Sequence, residues 1–72
     1  MSDVGSWYGA AVEALTITER TAQALRKRDL FRRERQDIFA AALEAAFAQA
    51  AAGAGYDQVY ESAVAAAGQY LQ

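Results

Sequence analysis

The chain has 72 residues, room for one domain, and a lone core at that length supplies only about 3 to 5 kcal/mol of stability. It contains no cysteine and no histidine, which excludes disulfides and the usual structural zinc sites as props. The formal charge of −2 is too small for a field that would gather nucleic acid or anionic lipid over the whole surface.

Residues 1–5 lack the basic flank and apolar run of a signal peptide and read as a flexible arm, so export by that route is not expected. A place in the cytoplasm or inside a particle is compatible with this. The chain as a whole is proline-free and 54% hydrophobic. Much of that apolar content is alanine, about a quarter of the chain, which buries little area per side chain but has the best helix propensity of any residue. The expected fold class is therefore all-α.

A first helix is expected over residues 6–15, with Trp7 and Tyr8 at its start. These aromatics are suited to anchoring in a partner's pocket, or to closing the end of a small core. Thr16-Ile17-Thr18 is a β-branched run of weak helix propensity, and Thr16 with Glu19 has the spacing of a capping box. A boundary is placed there. At 100° per residue, the apolar arc of Ala14, Leu15, Thr18, Ala22 and Leu25 is in phase with that of Phe39, Leu43, Ala46, Phe47 and Ala50. This agreement favours one long helix over residues 16–52, with the shorter helices folded back on its ends. The alternative is a compact three-helix bundle broken near Asp29, the only residue of the charged stretch from Arg26 to Asp37 suited to capping there, since that stretch has no Gly, Pro or Asn.

Gly53-Ala54-Gly55 is the clearest turn, since glycine supplies the left-handed cap that ends a helix. A last helix is expected over residues 57–71, with Asp57 as its N-cap and Tyr56, Tyr60, Ala63, Ala67 and Tyr70 on one face. The residues expected to pack helix on helix are Leu15, Leu25, Phe39, Leu43, Phe47, Tyr60, Val64 and Leu71. The apolar run from Ile38 to Tyr56 contains Glu44 and Gln49, and its alanines contribute almost nothing to insertion, so no membrane span is expected.

Arg28, Arg32 and Arg35 fall on the same face as the two apolar arcs. Arginine cannot be buried there unpaired, because such a charge costs several kcal/mol. Either this belt stays in water, laced by pairs such as Asp29 with Arg33 and Arg33 with Asp37, or it meets a carboxylate or phosphate of a partner. All seven basic residues lie between Arg20 and Arg35, but with Phe31 as the one aromatic among them, nucleic acid is a weak candidate partner. No motif supplies a nucleophile with a base, a phosphate loop or a metal-ligand spacing, so neither enzyme activity nor a cofactor is expected.

The function expected from these features is that of a structural or assembly subunit in a larger protein complex, such as a virus or phage particle or a secretion-type machine. Homo-oligomers and hetero-complexes both fit. A small regulatory binder, inhibitor or antitoxin-like, would instead dock the belt of Arg28, Arg32 and Arg35, or the aromatics Trp7 and Tyr8, on one target. Nucleic-acid binding through the basic segment is the third expectation.

Overall fold

The computed structural model describes residues 6–72; the arm expected over residues 1–5 lies outside them. The fold is all-α. Among the described residues three helices follow one another, α1 over Ser6–Ala24, α2 over Arg28–Ala51 and α3 over Tyr56–Gly68, with a short 3₁₀ turn, Gln69–Leu71, after them. Tight connections reverse the direction twice, and each helix packs on both others. The result is an up-down-up bundle measuring 40 × 18 × 17 Å.

The longest helix is the central one, as expected, but it does not extend from Thr16 to Ala52. It is interrupted at Leu25–Lys27, a few residues before the alternative break near Asp29, and the molecule is the compact bundle. Two backbone hydrogen bonds make the turn, Arg26 N–H to Gln23 O at 3.1 Å and Lys27 N–H to Ala22 O at 2.7 Å. Arg26 sits between them at φ 61°, so this is a Schellman cap built on a left-handed arginine. The same pattern closes α2, where Gly53 N–H bonds Ala50 O at 3.0 Å and Ala54 N–H bonds Gln49 O at 3.0 Å, with Gly53 at φ 87°.

No break occurs at Thr16. The threonine hydroxyls of α1 donate to carbonyls one turn back, Thr16 to Val12 at 3.1 Å, Thr18 to Ala14 at 2.7 Å and Thr21 to Ile17 at 2.9 Å. Their polarity is thereby absorbed within the helix rather than spent on a cap. Asp57 is not the N-cap of α3 either. Gly55 holds that position, and Asp57 lies in the first turn, where its charge favours the helix dipole. Asp29 has the same place in α2.

Among the described residues, eight of the thirteen buried apolar ones are alanines, and the largest fully buried side chains are Phe31 and Ile38. Small side chains let the three axes approach closely. Leu15 and Leu71 are buried as expected, and Phe39, Leu43, Tyr60 and Val64 are partly buried against the core. Leu25 and Phe47 are not core residues: they are 52% and 56% exposed. Breaking the long helix rotates the arc they were assigned to, and α2 buries Phe31, Ile38, Ala42 and Ala46 instead.

Candidate interaction site

On α2, Arg28, Arg32, Arg35, Phe39, Leu43 and Phe47 follow at steps of four, three, four, four and four, which draws one stripe along a helix of 3.6 residues per turn. The half nearest the α1–α2 turn is cationic. The other half is aromatic and aliphatic.

The three arginines of the stripe are all exposed. Among the described residues one ion pair forms, from Arg33 Nε to Glu34 Oε2 at 3.9 Å, so the expected pairs of Arg33 with Asp29 and Asp37 are not made. Among the described residues no carboxylate lies within salt-bridge distance of Arg28, Arg32 or Arg35. Such exposed guanidinium groups keep their forks available for a second molecule.

The aromatic half is completed from α1. Trp7 and Tyr8 lie in its first turn, and their rings meet those of α2 edge to face. Trp7 stands 5.2 Å from Phe47 and Tyr8 stands 6.0 Å from Phe39, with 6.1 Å between Trp7 and Tyr8 themselves. Trp7 is half-buried against the core, whereas Tyr8 is 50% exposed. Of the two roles open to this pair, closing the core and facing outward, Trp7 performs mainly the first and Tyr8 both. Val12, one turn after Tyr8, is also exposed. Its place in the sequence marked it only as a helix residue.

Two further contacts escaped the sequence because they join residues more than forty positions apart. Lys27 Nζ donates to the carbonyl of Leu71, tying the α1–α2 turn to the end of α3. Tyr56 donates its hydroxyl to Glu13 Oε1 at 2.8 Å. That hydrogen bond, with the nearby Glu13 charge adding to it, raises the Tyr56 pKa above its ordinary 10.0. Tyr60 stacks on Tyr56 at 6.3 Å, while Tyr70 is exposed on the final turn.

The cavities are shallow. One of about 270 Å³ runs between α1 and α3 beside Ile17, Leu25, Val64 and Leu71, and a polar notch of about 330 Å³ lies at the turn among Gln23, Arg26, Arg28 and Asp29. Among the described residues no group of three or more acidic, histidine or cysteine side chains is placed to hold a metal ion, and no helix is long and apolar enough to cross a membrane. The chain matches no known family model, and neither characterised proteins nor solved structures resemble it significantly.

Proposed function

We propose that the chain is a structural or assembly subunit that works by packing helix on helix with neighbouring molecules. One observation carries this reading: the core is mostly alanine, while six larger apolar side chains among the described residues, Tyr8, Val12, Leu25, Phe47, Tyr56 and Tyr70, are left exposed. A bundle of this size gains little from alanine methyls at about 25 cal/mol per Å², so the contacts it lacks come from a partner. Circular dichroism melting over a wide concentration range, with light scattering for mass, tests the reading. A midpoint that climbs with protein concentration is the expected result. A concentration-independent monomer with a sharp, high transition and no stoichiometric companion in its native source would refute it.

A second reading, a regulatory binder that docks its cationic belt on an acidic partner, is favoured by the exposure of Arg28, Arg32 and Arg35, which form no ion pair among the described residues. It predicts that replacing all three with alanine abolishes one specific interaction without loss of helicity. Nucleic-acid binding has less support, because the other basic side chains do not extend the belt into a broad patch with stacking aromatics. If it operated, retention on DNA or RNA would fall steeply with salt.

A further inference from the structure

Charge is distributed along the bundle axis as unevenly as the stripe is. In the half nearest the α1–α2 turn lie all seven cationic side chains, with Glu19, Asp29, Glu34 and Asp37 as the four acidic ones, leaving +3. The other half holds Glu13, Glu44, Asp57 and Glu61 and no cation among the described residues, leaving −4. A second copy laid alongside in the opposite direction brings each half against its electrostatic opposite. A copy laid in the same direction brings like against like.

The stripe on α2 has the matching symmetry. A two-fold axis crossing α2 between Asp37 and Ile38 sets Arg28 opposite the partner copy's Phe47, Arg32 opposite its Leu43 and Arg35 beside its Phe39. Guanidinium groups stack on aromatic faces in this way, and the arginine stems cover apolar surface. Area separates this arrangement from end-to-end stacking. A flank of 40 by 18 Å offers about 700 Å², near the 800 Å² or so per partner of a stable interface. An end of 18 by 17 Å offers about 300 Å², well short of it.

Resting on the assembly reading above, we infer that the occupant of the α1–α2 face is a second copy of this chain, in an antiparallel two-fold dimer that sets the arginine half of one α2 stripe against the aromatic half of the other. Such an isologous contact closes on itself and does not propagate into fibres.

Sedimentation equilibrium of the full chain at low and high salt tests this, together with the exposed triple variant Arg28→Glu, Arg32→Glu, Arg35→Glu and two single-cysteine variants. The wild type should dimerise, less tightly at high salt, and the triple variant should keep its helicity while binding itself at least about tenfold more weakly. Since the chain has no cysteine of its own, Gln36→Cys, beside the two-fold axis, should oxidise to a covalent dimer, and Gln58→Cys on α3 should not. A dimer indifferent to the triple substitution, or one trapped by Gln58→Cys rather than Gln36→Cys, overturns the inference but leaves the assembly reading standing. The same holds for a wild-type monomer that comes from its native source with one stoichiometric partner. A monomer without such a companion sinks both.

Discussion

Arg26 occupies the backbone conformation that glycine normally fills, and an L-residue there forgoes about 1 kcal/mol. Gly53 fills the equivalent place at the other turn without that strain. Arg26→Gly should therefore stabilise the bundle by about 1 kcal/mol and Gly53→Ala destabilise it by a similar amount, both read from urea midpoints with an unchanged slope. The turn at Gly53 was legible because glycine announces its own purpose. The turn at Arg26 was not, since the stretch has no Gly, Pro or Asn and its geometry rests on two main-chain hydrogen bonds.

Tyr56 supplies a second test at this scale. Its folded pKa is raised, so the stabilising hydrogen bond to Glu13 is complete below the ordinary tyrosine value and is lost as pH climbs through the raised one. Tyr56→Phe should lower the urea midpoint near neutral pH, and its deficit relative to wild type should shrink under strongly alkaline conditions. A deficit that persists unchanged would mean that ring packing, not the hydroxyl, joins α3 to α1.

Among the elements, α2 bears the heaviest packing duty and the most misleading pattern. Phe31 lies inside a run of charges and Ile38 at the head of an alanine tract, yet these are the two largest side chains fully withdrawn from water. Phe31→Ala or Ile38→Ala should cost about 2 to 5 kcal/mol, enough to unfold a domain this small. Phe47→Ala, half outside, should cost about 1 kcal/mol in the monomer. Chemical denaturation at low concentration separates the two classes. The phase argument placed Leu25 and Phe47 in the core because it carried one helical register across the turn at Leu25–Lys27. The register of α3 began with a firm boundary at Gly53, and Tyr60, Val64 and Leu71 were accordingly found against the core. The cationic belt was visible as a face, but its aromatic continuation onto Tyr8 depends on how α1 lies across α2, which no single-helix pattern contains.

For the whole molecule, composition sufficed to settle the class, because a proline-free, alanine-rich chain has few competitors to helix. It did not settle the number of helices, since that hung on one unmarked turn. Contacts between consecutive antiparallel helices are mostly local, so folding should be fast, with relaxation in microseconds to milliseconds. Temperature-jump fluorescence of Trp7, whose ring leaves Phe47 on unfolding, measures this directly. A phase lasting seconds would be out of keeping with the topology, there being no X–Pro bond to isomerise.

An odd number of alternating helices leaves Ser6 and Gln72 at opposite poles of the 40 Å body. Tension applied between those two residues runs parallel to all three axes, so the helices must slide past one another before any can peel away. Side chains as smooth as alanine give little purchase against sliding, and the resistance falls on Phe31, Ile38 and the Lys27–Leu71 tether.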